Sequence, residues 1–187
     1  MKRLVLLGVI VFAMPGRAAA MECADLWTWL ESSCRHVADT YEKGDNALLV
    51  SGYQWHLPYS WSPERRAEEI SNAWGGGVDR SRENEAKNQE DVFFLVFRDS
   101  HGNAQFNLGY AWRTYWGERE KLQLGLGFTA MIVQRPDIWN GVPFPAVLPL
   151  ATLRHDNVEV LSAYVPKLNG GINHGSILYI FGKIDLK

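Results

Sequence analysis

The segment 121–134 restricts the fold more than any other, because large and small side chains alternate along it. Its even positions are apolar: Leu122, Leu124, Leu126, Phe128, Ala130 and Ile132. Its odd positions are smaller and include two glycines: Gln123, Gly125, Gly127, Thr129 and Met131. Successive side chains of a strand point to opposite faces. A soluble barrel would turn its large residues inward, so this segment predicts the lipid-facing wall of a membrane barrel with a hollow interior.

The composition agrees with a membrane barrel and gives no sign of a nucleic-acid partner. The 187 residues include 8 Trp, 7 Tyr and 8 Phe, yet the mean hydropathy is only -0.19. A transmembrane barrel combines these properties because alternation confines its apolar residues to one face of each strand. The net charge of -2 offers no basic surface for nucleic acid.

The chain divides into three predicted parts. Residues 1–20 have the pattern of a signal peptide, with a basic start, a short apolar core and three alanines at the end. The part 21–45 is predicted to hold an amphipathic helix over 24–42. Its pattern alone fits packing on a protein core as well as it fits the membrane surface, and the barrel context favours the membrane. Residues 46–187 would form the barrel.

The two cysteines, Cys23 and Cys34, are predicted to be free thiols. On one helix they would share a face but stand about 16 Å apart along it, which is too far for a disulfide. We assign them no function.

Eight strand candidates follow residue 46 without a domain break or a repeat. They are 47–57, 70–81, 90–99, 104–116, 121–134, 144–154, 157–165 and 174–185. An even number puts both chain ends on the periplasmic side, and most of the longer connections then lie outside. The predicted fold is all-β, an eight-stranded antiparallel transmembrane β-barrel preceded by an N-terminal amphipathic α-helix.

The up-and-down path brings three chemically useful residues to one rim. His56 ends the first strand, and Asp99 and Ser100 end the third. A histidine can accept a proton from a hydroxyl, and a carboxylate can orient it and stabilise its charge. A serine can attack a carbonyl or donate a hydrogen bond to an oxyanion. The signal is weak by itself, since Asp-Ser is also common in turns. No histidines or carboxylates have metal-ligand spacing, so we expect neither a metal nor a cofactor.

Five stretches carry a resemblance to a known family. They are Tyr53-Gln54-Trp55-His56, Trp74-Gly75-Gly76-Gly77, Phe97-Arg98-Asp99-Ser100, residues 124–130 and residues 143–151. In this order and spacing they resemble the PagP family of outer-membrane lipid A palmitoyltransferases, over nearly the whole mature chain. The segment from Leu124 to Ala151 is the most specific part.

The resemblance implies transfer of a palmitoyl chain from the sn-1 position of a phospholipid to a hydroxyacyl chain of lipid A. It implies that His56, Asp99 and Ser100 are catalytic, on the extracellular side of the Gram-negative outer membrane. The partners it implies are the phospholipid donor, the lipid A acceptor and the membrane lipid, and we expect a monomer. A non-catalytic structural or adhesive barrel remains the alternative, while a soluble lipocalin-like barrel would need a polar outer face.

The family holds the acyl chain inside the barrel as a ruler. We therefore expect Gly109, Ala111, Gly125 and Gly127 to bind substrate. The family pattern Gly-Tyr-Gly-Trp reads Gly109-Tyr110-Ala111-Trp112 here. The added methyl group of Ala111 predicts a shallower pocket and an acyl chain slightly shorter than palmitate, or looser selection.

The family also uses prolines, which lack a donor N–H, to leave strand pairs unbonded for lipid entry. Pro143, Pro145 and Pro149 are assigned to strand six and Pro166 to strand seven, which keeps one such gap plausible. At the second family gap, Ser51 and Ala73 replace the prolines. Entry between strands six and seven is therefore the better supported route.

Overall fold

The structure is a computed structural model that describes Cys23, residues 27–168 and residues 173–186. The helices are α1 (Thr28–Lys43) and α2 (Pro63–Glu68), with a 3-10 turn at Trp139–Gly141. The strands are β1 (Asp45–His56), β2 (Asn72–Glu83), β3 (Gln89–Arg98), β4 (Ala104–Gly117), β5 (Gln123–Gln134), β6 (Phe144–His155), β7 (Val158–Val165) and β8 (Ile177–Leu186). The predicted signal peptide 1–20 lies outside the described residues and stays a prediction.

The eight strands form a closed antiparallel barrel in chain order, which confirms the predicted fold. Closure comes from β1 and β8, which pair from Asn46↔Leu186 to His56↔Ile177. We call the end of the barrel where β1 begins, β8 ends and the short connections lie the turn end, and the opposite end the loop end. Neither described helix is long and apolar enough to cross a membrane.

Strand β5 shows the alternation that the sequence predicts. Leu124, Leu126 and Ile132 are between 47% and 49% exposed on the outer face, whereas Thr129 is 4% exposed inside. In water this arrangement would leave a wide apolar band without cover. The band is the surface that a bilayer solvates.

The β6–β7 ladder is interrupted. Its pairs run only from Leu150↔Ala163 to His155↔Val158, so the loop-end half of β6 has no ladder partner in β7. Two of the prolines of β6 lie in that half. By contrast, β1 and β2 remain paired through Tyr53↔Asn72, on the far side of a register irregularity. The wall therefore lacks backbone pairing at the predicted proline gap and keeps it at the other.

Short helix α2 was not predicted within the first long connection. Pro63 follows the N-cap residue Ser62, whose hydroxyl accepts a hydrogen bond from the N–H of Arg65. Proline is preorganised for the first turn and serine satisfies a free helix N–H. These two residues are sufficient to start one helical turn in a segment without apolar periodicity.

Helix α1 rests on the turn end through polar contacts. The carboxylate of Glu90 on β3 lies 2.9 Å from His36 Nδ1 and accepts a hydrogen bond from Thr40. Arg80 on β2 donates to the carbonyl oxygen of Tyr41. Trp27, just before the helix, is exposed, which agrees with a helix that lies at the membrane surface.

The prediction of two free cysteines is wrong. Cys23 and Cys34 form a disulfide, with their Cα atoms 5.7 Å apart. The prediction placed both cysteines on one helix, but α1 begins only at Thr28. Cys23 precedes the helix, so the rise per residue of a helix does not set its distance from Cys34. Disulfides persist in oxidising compartments, which agrees with export of the chain.

Buried charges fill the turn-end half of the barrel. Lys183 Nζ lies 3.1 Å from Asp79 Oδ2 and donates hydrogen bonds to Asp91 and Ser81. Arg113 also pairs with Asp91, and all of these ionic side chains are at most 3% exposed. Buried carboxylates of this kind depend on their cations, since an isolated charge has a high desolvation cost.

Replacing Lys183 by methionine should destabilise the barrel by about 3–5 kcal/mol, because Asp79 and Asp91 would lose a buried cation. The measurement is urea unfolding of the refolded protein in detergent, followed by tryptophan fluorescence. Lys121→Met is the control, since the Lys121 side chain is 75% exposed. Equal unfolding midpoints for the two variants would show that the buried network contributes little.

Candidate active site

His56 lies at the loop end of β1, enclosed by the first long connection. Its side chain is 1% exposed. Trp61 packs edge-on against the imidazole, with ring centroids 4.9 Å apart, and Trp61 is itself anchored by a 3.0 Å hydrogen bond to the carbonyl of Ser176. Neither ring nitrogen of His56 has a hydrogen-bond partner among the described residues. Among the described residues, the imidazole is therefore held in place by packing and not by hydrogen bonds.

Asp99 opens the β3–β4 turn and uses one carboxylate oxygen to shape it. Asp99 Oδ1 accepts hydrogen bonds from the backbone N–H groups of His101, at 3.0 Å, and Asn103, at 2.7 Å. Asp99 Oδ2 is buried, has no hydrogen-bond partner in the described part of the chain, and lies 3.7 Å from Arg135 Nη2. Oδ1 of Asp99 therefore stabilises the turn, and Oδ2 faces the guanidinium of Arg135.

Ser100 is the next residue and is 4% exposed. Its carbonyl accepts a 3.0 Å hydrogen bond from the N–H of Ile70. Gln54, fully buried on β1, donates to the carbonyl of Ile70 at 2.9 Å and weakly to that of Arg98. These bonds tie β1, the end of the first long connection and the β3–β4 turn into one unit.

The fold thus brings all three predicted residues to the loop end, in elements that are tied together. No hydrogen bond joins His56 to Asp99 or Ser100 among the described contacts. The carboxylate within 4.0 Å of His56 is that of Glu69, whose Oε2 lies 3.8 Å from His56 Nε2. Sequence reasoning missed Glu69, because it lies in a charged segment, 64–69, that gives no sign of burial.

The guanidinium of Arg135 lies among several polar side chains of the rim. It donates a 2.7 Å hydrogen bond to Asp137 Oδ2 and lies 3.3 Å from His101 Nδ1. Burial favours the neutral form of Asp137, but the hydrogen bonds and the charge of Arg135 outweigh it and lower the pKa of Asp137. Asp99, His101 and Asp137 have ligand atoms within 4.8 Å of one another. The guanidinium already supplies their positive charge, so we assign no metal to this group.

An apolar cavity runs down the barrel from this rim. Its wall includes Phe97, Met131, Leu148 and Tyr179, and it ends at the buried charges of the turn end. Ala111 also lines it, 3% exposed. The cavity has the shape and polarity to hold a hydrocarbon chain.

Gly109, Gly125 and Gly127 are not among the residues that line the cavity. A Cβ at Gly127 would overlap the backbone carbonyl of Trp112, and one at Gly109 would stand 2.5 Å from Met131 Cβ. Gly125 is similarly crowded by Thr152. The structure therefore explains these glycines by close contact with neighbouring residues of the barrel, and their part in substrate binding stays a prediction.

The fold and the rim define a membrane β-barrel with an apolar interior cavity, whose loop end carries the buried side chains of His56, Asp99 and Ser100. The family model described as "Antimicrobial peptide resistance and lipid A acylation protein PagP" matches residues 36–183. The chain belongs to the PagP family, as the resemblance of the five sequence stretches implies.

Similar proteins are named "Lipid A acyltransferase PagP". The protein of Methylobacillus flagellatus is 35% identical over 167 residues, which cover 89% of each chain. That of Legionella pneumophila is 32% identical over 191 residues and the full length of both chains. That of Bordetella pertussis strain Tohama I is 30% identical over 172 residues, or 92% of this chain and 93% of the relative.

Replacing Gly127 by alanine should lower the free energy of unfolding by about 1–3 kcal/mol, because the new methyl group meets fixed backbone. Gly52→Ala is the matched control, since a Cβ there has nothing within 4 Å. Urea unfolding in detergent compares the two. A Gly127 variant as stable as the Gly52 variant would contradict the close strand contact.

Proposed function

We propose that this protein moves an acyl chain from the sn-1 position of a phospholipid to a hydroxyacyl chain of lipid A in the outer membrane. The observation that carries the proposal is the apolar cavity, which extends from Arg135 at the rim to Ala111 deeper in the barrel and opens toward the end of the barrel that holds buried His56. Membership of a lipid A acylation family supports lipid A as the acceptor. The loop end would face the outside, since β1 begins and β8 ends at the opposite end and long loops of such barrels are extracellular.

The open half of the β6–β7 ladder is the proposed entrance for the donor. Backbone groups without ladder partners are costly in hydrocarbon, and Pro145 and Pro149 reduce this cost because they have no N–H to leave unpaired. A phospholipid chain that enters here reaches Leu148 and Leu150, which line the cavity. The lipid can thus enter from the membrane without passing through water.

In the proposed reaction the lipid A hydroxyl attacks the carbonyl carbon of the donor ester. His56 accepts the hydroxyl proton as the new C–O bond forms. Ser100 donates a hydrogen bond to the oxyanion or positions the acceptor, and Asp99 contributes negative charge that favours the protonated imidazole. The ester C–O bond then breaks, and the proton passes from His56 to the departing glycerol oxygen. The products are acylated lipid A and a lysophospholipid.

A Ser100 acyl-enzyme is the alternative route to the same products. The two routes differ when the acceptor is left out. Incubation with a radiolabelled phospholipid alone would label Ser100 on the covalent route and leave the protein unlabelled on the direct one.

His56→Ala and Ser100→Ala should each lower the transfer rate, by about 10²–10⁴-fold for the loss of the general base. The assay uses detergent-refolded protein with dipalmitoyl phospholipid and lipid A, and folding is checked by heat modifiability. His155→Ala is the control, because this exposed histidine belongs to the turn end. Folded His56 and Ser100 variants with full activity would show that these residues are not the catalytic groups, whereas a folded natural protein that transfers no acyl chain would favour the non-catalytic barrel.

The chain length transferred tests the role of Ala111. We expect the natural protein to prefer a chain slightly shorter than palmitate, and Ala111→Gly to shift the preference toward a longer chain by removing a methyl group from the cavity wall. Mass spectrometry of lipid A, after incubation with a mixture of phospholipids of different chain lengths, gives the distribution. Strict palmitate transfer by both proteins would show that Ala111 does not limit the chain.

A further inference from the structure

Glu69 is a buried carboxylate without a hydrogen bond of its own. It directly follows α2, its side chain is 9% exposed, and Oε2 has no hydrogen-bond partner among the described residues. Its neighbour Glu68 is exposed. Burial of a charged carboxylate without a partner is costly, so a structure that buries one of two adjacent glutamates points to a use for it.

The backbone around Glu69 is held on both sides. The Glu69 N–H donates to the carbonyl of Arg66, and the next residue, Ile70, is bonded to Ser100 and to Gln54. The carboxylate is therefore set in place by the same contacts that join β1 to the β3–β4 turn. A loop residue held in this way can present its charge in a constant direction.

That charge faces His56. Glu69 Oε2 lies 3.8 Å from His56 Nε2, and Oε1 lies 4.0 Å from Nε2 of the more exposed His101. Burial of His56 opposes the imidazolium most strongly, His101 also opposes it, and Glu69 is the group that favours it. The attraction to Glu69 gains strength only when His56 takes up a proton, which is the condition for stabilising a transition state rather than a ground state.

Asp99 is less well placed for this task. One of its oxygens is used by two backbone N–H groups, and the other faces Arg135. Its charge is already partly balanced, whereas the Oε2 atom of Glu69 has no hydrogen-bond partner within the described part of the chain and lies 3.8 Å from His56 Nε2.

We infer that Glu69 is a positioning residue that stabilises the protonated form of His56 during acyl transfer. The inference rests on the proposed function, in which His56 is the general base. Because Glu69 faces Nε2, it favours the tautomer with a proton on Nε2 and leaves Nδ1 to accept the proton of the lipid A hydroxyl. Glu69 does not touch the substrate in this scheme and acts only through the imidazole.

The test is the pH dependence of the transfer rate in Glu69→Gln, with Glu68→Gln as the matched control. The amide keeps the size of Glu69 and removes its charge, so His56 should protonate at lower pH and the acidic limb of the profile should move to lower pH by about one unit. The rate at neutral pH should fall about 10-fold or more. Glu69→Asp should restore part of both effects, and Glu68→Gln should leave the profile unchanged.

The results separate the role of Glu69 from the role of His56. If His56→Ala is inactive but Glu69→Gln behaves like Glu68→Gln, only the role of Glu69 is wrong. A Glu69→Gln enzyme that is slower but keeps the acidic limb of its pH–rate profile at the same pH would also overturn the inference about Glu69. A residue with a merely structural role changes the rate but not the pH of that limb. If Glu69→Gln does not fold, Glu69→Asp carries the test, and an unmoved limb there overturns the inference. If folded His56→Ala remains active, the proposed role of His56 fails, and that of Glu69 with it.

Discussion

The rest of the structure depends on one constraint, the requirement that backbone N–H and C=O groups be paired within hydrocarbon. The β1–β8 ladder meets it by closing the sheet, and closure sets the interior volume. The described barrel departs from it where β6 loses β7 as a partner at the loop end. This unpaired half of β6 holds Pro145 and Pro149, which have no N–H donor to leave unpaired, and it lies beside the upper part of the cavity.

The rim chemistry follows from how the connections are attached to this frame. The first long connection brings Trp61 onto His56 and buries Glu69 beside it. The β3–β4 turn is shaped by the Asp99 carboxylate and bonded to the same connection through Ser100. A small set of backbone hydrogen bonds thus determines which polar groups lose contact with water.

The sequence predicts the strands well. The pleat turns successive side chains to opposite faces, and the lipid-facing side chains differ in size and polarity from those that face the lumen, so the sequence alternates with a period of two. It predicts that His56 and Asp99 share a rim, since this follows from counting strands. It does not predict the carboxylate nearest His56, because burial of Glu69 depends on hydrogen bonds made by Gln54 and Ser100 across the sheet. The sequence does not predict the disulfide either, because it does not fix the residue at which α1 begins. Helical spacing applies to Cys23 only if the helix includes it, and the helix begins at Thr28.

The buried ionic group around Lys183, Asp91 and Arg113 bears on the barrier function of the membrane. A barrel that must admit a hydrocarbon chain has an open interior, and an open interior in a membrane is a conduction path. The salt-bridged side chains occupy the turn end so closely that Arg113 and Lys183 are at most 2% exposed. Paired charges in this part of the lumen leave less room for water and ions there, which favours a barrel that can hold a hydrocarbon chain while remaining a barrier across the bilayer.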